Sequence, residues 1–180
     1  MIMSFFRKDP NVTLAHNIYG QIVDQARNPW FYAECGAPDT PEGRFELLTI
    51  HVYLVLQKLK SHGDSAAALS QKIFDAFFEN MDASLREMGV GDLSVGKRIR
   101  AMAEAFYGRV GAYEAAITEG GHEALHNALS RNVFEEEQAS GAPSLAKYIL
   151  ASKEVLGQTP IETIMAGEIA FGALTVEEDS

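Results

Sequence analysis

The chain is poor in the residues that would staple, span or cationise it. Of its 180 residues only one is cysteine, Cys35, so no internal disulfide framework exists and a reducing compartment suits it. A single thiol with no patterned base around it reads as an inert core residue rather than a nucleophile. No apolar run approaches the roughly 18 residues that a membrane-spanning helix requires. The start, Met1 to Lys8, is too short for a secretory leader, although Phe5 and Phe6 beside Arg7 and Lys8 offer a transient membrane-surface contact. Cations are scarce too: 15 Lys and Arg face 25 Asp and Glu, a net charge of −10. That balance argues against nucleic acid as a partner, because phosphate binding rests on a basic face. The deficit is uneven: residues 1–121 carry −3 and residues 122–180 carry −7. A local basic patch is therefore compatible with the first two-thirds alone.

What is present is helical periodicity, with no β-like alternation and no internal repeat. Asn11 is placed to cap a first helix running to Arg27, with Leu14, Ile18 and Ile22 inward. Pro29 ends it, and Trp30-Phe31-Tyr32 either plugs a gap between helices or presents an aromatic anchor. Thr40-Pro41-Glu42 is a strong helix start: a capping hydroxyl, a proline at the first position and an acid near the positive end. The helix it opens reaches Lys60 through Phe45, Leu48, Val52, Val55 and Leu59, with His51 beside that stripe as a core histidine. Ser65 is placed to cap the next helix, which buries Leu69, Ile73 and Phe77 and is widened by Phe74, Phe78 and Met81. Asp82 or Ser84 then opens a short turn of helix that stops at Gly89.

The longest unbroken period runs from Ser94, as cap, to Ile117. Val95, Ile99, Met102, Phe106, Val110, Tyr113 and Ile117 recur three and four apart, and this segment is expected to be the central helix. Lys97, Arg98 and Arg100 occupy its first turns, the wrong end of the helix dipole for cations. Gly108 and Gly111 each cost about 1 kcal/mol relative to alanine. They mark either a helix crossing in the core or a shallow groove flanked by Tyr107, Arg109 and Tyr113. Partner binding is therefore expected at the edge of this helix, through Asp92, Lys97, Arg100, Tyr107, Arg109 and Tyr113, with Trp30 as the next choice.

After Glu119-Gly120-Gly121 the pattern predicts a helix from His122 to Val133 and an acidic linker over 135–143. Weaker helices follow over Ser144–Leu156 and Pro160–Leu174, then a solvated tail from Glu177 to Ser180. The expected organisation is a flexible N-terminus over 1–10, a helical domain over 11–135 and an acidic extension over 136–180 packed on the same domain. The fold class is all-α: one irregular bundle of about seven to eight helices around a long central one.

One catalytic pattern occurs. His122-Glu123-Ala124-Leu125-His126 has the zinc-protease spacing, two histidines one turn apart with a glutamate as general base. It lacks a signalled third ligand, and Gly120-Gly121 put His122 on a fraying first turn. A zinc-dependent hydrolase is the alternative reading, and a helical adaptor with another partner is a third. The leading expectation assigns no catalytic residue, no metal and no cofactor.

Several ordered motifs carry a resemblance. They are Tyr19 to Arg27 with Pro29 and Tyr32, Pro38-Asp39-Thr40 with Gly43-Arg44-Phe45-Glu46, and His51. Leu85-Arg86-Glu87 with Gly89-Val90-Gly91-Asp92-Leu93 follows, then Ala105-Phe106-Tyr107-Gly108-Arg109 with Tyr113, and Ala128-Leu129-Ser130-Arg131-Asn132-Val133. Together, over residues 12–135, they resemble the ubiquinol–cytochrome c chaperone family. The resemblance implies a non-enzymatic, all-α assembly factor for the respiratory ubiquinol–cytochrome c reductase, with newly made cytochrome b as client. It also implies a small helper protein and work near the ribosome in mitochondrial members. With no long Arg-rich stretch ahead of the motifs, the chain is expected to be a bacterial-type, cytoplasmic member, peripheral to the inner membrane at most.

Overall fold

The computed structural model describes residues 9–60 and 62–175. The expected flexible start with its Phe5–Phe6 contact, and the tail from Glu177, lie outside the described residues save Asp9 and Pro10. Among those described there are eight α-helical segments and no strand, packed on one hydrophobic core.

Helix α1 (Pro10–Ala26) is capped by Asp9 rather than Asn11: the Asp9 carboxylate accepts from the Asn11 backbone N–H at 2.9 Å. Pro10 fills the first helical position, where a missing N–H costs nothing. Trp30–Ala33 forms a single turn, α2. Helix α3 (Pro41–Leu59) begins as its sequence predicts, with the Thr40 hydroxyl accepting from Gly43 N–H at 3.1 Å.

The long central helix of the bundle is α3, not the Ser94–Ile117 segment. Every residue from Glu46 to Val55 is buried, so α3 is covered all round by α1, α4, α5 and α7. A helix apolar on every side belongs in the middle, whereas a single seam belongs on the outside. Helix α4 (Gly63–Glu87) runs without the expected break at Asp82 or Ser84, because Ile73, Phe77, Met81 and Leu85 continue one buried face. Its cap position is His62, not Ser65. Gly89, at φ +85°, closes it in a conformation that disfavours side chains.

Helix α5 (Asp92–Ala115) starts two residues before the expected Ser94 cap and packs on α4 as an antiparallel hairpin. Of its long seam, Val95, Phe106 and Tyr113 are buried, while Ile99, Met102 and Val110 lie half-covered. A widened π-type turn, Ala116–Gly120, leads to α6 (Gly121–Leu129), and a second, Ser130–Phe134, follows it. Helix α7 (Ala142–Gln158) buries Leu145, Ala146, Tyr148 and Ile149 beside α3, in the same core as the earlier helices. Only Ile161–Met165, α8, is helical in the Pro160–Leu174 stretch. Gly167, at φ +92°, ends it, and residues 168–175 form an irregular strap. Gln21 holds that strap by donating to Gly167 O at 2.7 Å and accepting from Ile169 N–H at 3.4 Å. Further along, Gly172 N–H donates to the Ser152 hydroxyl at 2.9 Å. A Cβ at Gly172 would lie 2.7 Å from that of Ala151, so only glycine fits this approach.

Candidate partner-binding face

The face on which partner binding was expected is the outer side of α5, and the structure divides its seven candidates. Asp92 is exposed, but its carboxylate is tied to Arg86, which also bonds Asp82 at 2.6 Å. Lys97 and Arg100 point to solvent, and neither has an ion-pair partner among the described residues. Tyr107 is 62% exposed, with its ring 5.8 Å from that of Phe74 on α4. All four belong to the accessible surface of the protein.

The other three do not join it. Arg109 reaches inward and grips Glu46 of α3 with both oxygens engaged, Nε at 3.0 and 3.1 Å and Nη2 at 2.9 Å. Glu46 is buried, and burial holds its carboxyl above the usual range even though the Arg109 guanidinium pulls the other way. The same contact raises the Arg109 pKa, so the pair keeps the guanidinium charged while desolvation of Glu46 is the larger opposing effect. Tyr113 is 1% exposed and cannot touch a partner: helical spacing puts it beside Phe106 and Val95 on the core side. Trp30 is half-buried against Phe31 and Tyr148 of α7, in a ring cluster that includes no α5 side chain. It is a gap filler at this position, with Phe31 edge-on to Tyr148 at 5.0 Å.

The glycines of α5 do not mark the core crossing that was one of the two expectations for them. A Cβ built on Gly108 or Gly111 meets no atom within 4 Å. No described helix crosses there. The glycines lie on the outward face, next to a shallow groove of about 390 Å³ between α5 and α6 lined by five alanines, Gly120 and the charged Glu119 and Arg131. Their helix-propensity cost is thus not offset by packing within the molecule. Gly108→Ala and Gly111→Ala are each expected to stabilise the fold by about 1 kcal/mol, read as an upward shift in thermal midpoint. Destabilisation by either would show that an unseen close approach exists.

Sequence reasoning overlooked Leu93 and Met88, which are 101% and 57% exposed at the tip of the α4–α5 hairpin. The signal was available, since Leu93 falls off the Val95–Ile99 seam and both flank the Gly89-x-Gly91 turn. It also overlooked Glu46, which hides inside the apolar stripe of α3.

His122 and His126 stand one turn apart at the start of α6, ring centroids 6.4 Å apart and edge to face. No group of three or more His, Cys, Asp or Glu residues suited to a metal occurs among the described residues. The buried His51 is a structural group. Its Nδ1–H donates to Leu47 O at 2.7 Å, which leaves Nε2 to accept from the Tyr148 hydroxyl at 2.7 Å. Gln25 in turn donates to that hydroxyl at 3.1 Å. Cys35 is buried, its thiol donating to Gly141 O at 3.3 Å, and burial pushes its pKa up to about 12. Such a thiol is no nucleophile near neutrality. No described helix is long and apolar enough to cross a membrane.

Comparison with known proteins bears on the whole of this architecture. Residues 33–171 match the family model described as ubiquinol–cytochrome C chaperone. The crystal structure of the Cbp3 homolog from Brucella abortus superposes with a TM-score of 0.83 at 40% identity, covering 91% of each chain. Ubiquinol–cytochrome-c reductase complex assembly factor 1 of Xenopus laevis is 24% identical over 169 residues, 92% of this chain and 84% of the frog protein. The Homo sapiens protein of that name is 25% identical over 163 residues, and the chain spans 54% of its length. The matched model takes in α3 to α7 and the strap as far as Phe171, so the core helix, the α4–α5 hairpin and the segment covering His51 all fall inside it. On those grounds the chain belongs to the ubiquinol–cytochrome c chaperone family.

Proposed function

We propose that this protein is a non-catalytic assembly chaperone for ubiquinol–cytochrome c reductase, with newly made cytochrome b as its client. Family membership is the observation that carries the reading, supported by the relatives' names as assembly factors of that complex. The surface best suited to the client is the outer face of α5, where Tyr107, Gly108, Gly111 and the alanine-lined groove lie uncovered. A client that is a bundle of apolar helices can lay one of them close against small residues, where backbones approach and dispersion contacts accumulate. The place of action is the cytoplasm, at the inner face of the membrane that receives the client. A small helper protein is part of the same reading.

A strain lacking the gene is expected to lose the mature complex while the purified protein turns over no substrate. A photoreactive residue at Tyr107 is expected to capture cytochrome b in the cell. Normal levels of the complex in the deletion strain would overturn the reading. Substituting both glycines makes a sharper test, since Gly108→Ala with Gly111→Ala raises stability and yet is expected to reduce capture of the client.

A further inference from the structure

The three large hydrophobic side chains that stand exposed among the described residues are Met88, Leu93 and Tyr107, and all lie on the α4–α5 hairpin. Two of them, Met88 and Leu93, bracket its tip. Leu93 is 101% exposed, so no wall of the protein shields any part of it. Directly behind it come Lys97, Arg98 and Arg100, exposed and without an ion-pair partner among the described residues. Two acids beside the tip are tied down, since Arg86 bonds both Asp82 and Asp92. Glu87 and Glu104 remain untied, and residues 82–104 balance at four basic against four acidic groups, so the positive charge is confined to the acid-free stretch 93–103, on a protein whose net charge is −10.

Both features cost free energy in the isolated molecule. Cations in the first turns of a helix oppose its dipole, and a fully bare leucine at a turn forgoes burial. One partner relieves both costs at once: a surface that is anionic on the outside and apolar just beneath. A protein anchor residue sits in a fitted, desolvated pocket, and nothing around Leu93 offers matching relief on this side. A fluid bilayer needs no shape complementarity. The long stems of Lys97 and Arg100 can lie along the acyl boundary while their charges stay at the headgroups.

We infer that the tip of the α4–α5 hairpin docks on an anionic lipid bilayer, Met88 and Leu93 entering the interface and Lys97, Arg98 and Arg100 meeting the headgroups. The contact is weak by design of its size, at about fivefold in partitioning per cation. It would fix the end of α5 at the lipid surface and leave Tyr107 and the glycine face a few turns away for a client. The inference stands on this hairpin alone and does not require the client to be cytochrome b.

The test is flotation of the full chain with vesicles of phosphatidylcholine, or of phosphatidylcholine and phosphatidylglycerol in equal parts, free of any client protein. Binding is expected to the anionic vesicles only, and to disappear at about 1 M salt, where screening reaches about 3 Å. Leu93→Asp is expected to cut binding several-fold. Lys97→Gln with Arg98→Gln and Arg100→Gln is expected to cut it about fivefold per charge, with an unchanged or raised thermal midpoint as proof of folding. Absence of binding, equal binding to neutral vesicles, or retention by both variants would overturn the inference. So would a drop in sedimentation on Leu93→Asp in the absence of lipid, which would assign the tip to a contact between copies. Loss of client capture in the cell with vesicle binding intact would instead fault the chaperone reading and leave this one standing.

Discussion

Replacing Arg109 by alanine is expected to destabilise the protein by about 3–5 kcal/mol, because it leaves the Glu46 carboxylate buried without a counter-charge. Glu46 is 6% exposed and holds the guanidinium through both oxygens, so water cannot take over the lost contacts. Burial already holds its pKa up against the pull of Arg109, and removing Arg109 raises it further. The sign of the pH dependence follows. A folded-state pKa above the unfolded value penalises the fold while the carboxyl is charged, so the deficit of Arg109→Ala is largest at high pH. It shrinks as acidification protonates Glu46 in the folded state. Urea denaturation of the variant at several pH values measures this. The double variant Glu46→Leu with Arg109→Met is expected to cost much less than Arg109→Ala, since two apolar groups leave no buried charge. A double variant as unstable as the single one would show that packing, not the orphaned charge, sets the cost.

The second large effect is acid sensitivity at His51. The imidazole is fully buried among Phe31, Tyr148 and Phe171, with Leu47 O and the Tyr148 hydroxyl as its bonded neighbours. Desolvation pushes its pKa down to about 4, against a smaller upward pull from the Leu47 carbonyl. The unfolded chain takes up its proton near pH 6.5. Between these values the unfolded state binds more protons. Stability from neutral His51 is therefore complete above about pH 6.5 and falls as the pH drops toward 4. The slope is about 1.4 kcal/mol per unit, for a total of about 3 kcal/mol. Carboxylates also titrate in this range, so the measurement is the difference between the parent and His51→Gln over pH 4–7. Equal slopes for the two would place the acid sensitivity elsewhere.

Both sites show how legibility depended on the kind of signal. The Thr40 cap and the Gly89 stop are local chemistry, and local chemistry reads directly from neighbouring residues. His51 was readable as a core group because nothing around it patterned as a catalytic partner, yet its bonded neighbour Tyr148 is 97 residues away and had no local mark. The length of an apolar seam does not mark the central helix. The α5 seam is long but one-sided, whereas the short stripe read along α3 belongs to a helix buried from Glu46 to Val55 on every side. On α5 the residue types are legible in the sequence while their directions are not. Tyr113 and Arg109 differ from Tyr107 by a fraction of a helical turn, and that fraction separates a core ring and a buried ion pair from an exposed surface. Leu93 needed the reverse argument, an apolar residue recognised by falling off the seam.

The strap after Gly167 bears on how the chain is made. Its bonds with Gln21 close loops of 146 and 148 residues, and Gly172 N–H is what occupies the Ser152 hydroxyl. Contacts of such separation contribute only after most of the chain's entropy has been surrendered, which makes their formation a late event. An N-terminal domain begins folding as it leaves the ribosome, but here α1 cannot complete its contacts until residue 169 has been synthesised. During translation α1 and α3 expose the apolar faces that later segments will cover. A member of a chaperone family thus passes through a vulnerable interval of its own, and α1 stays partly uncovered until a segment 146 to 148 residues further along has emerged.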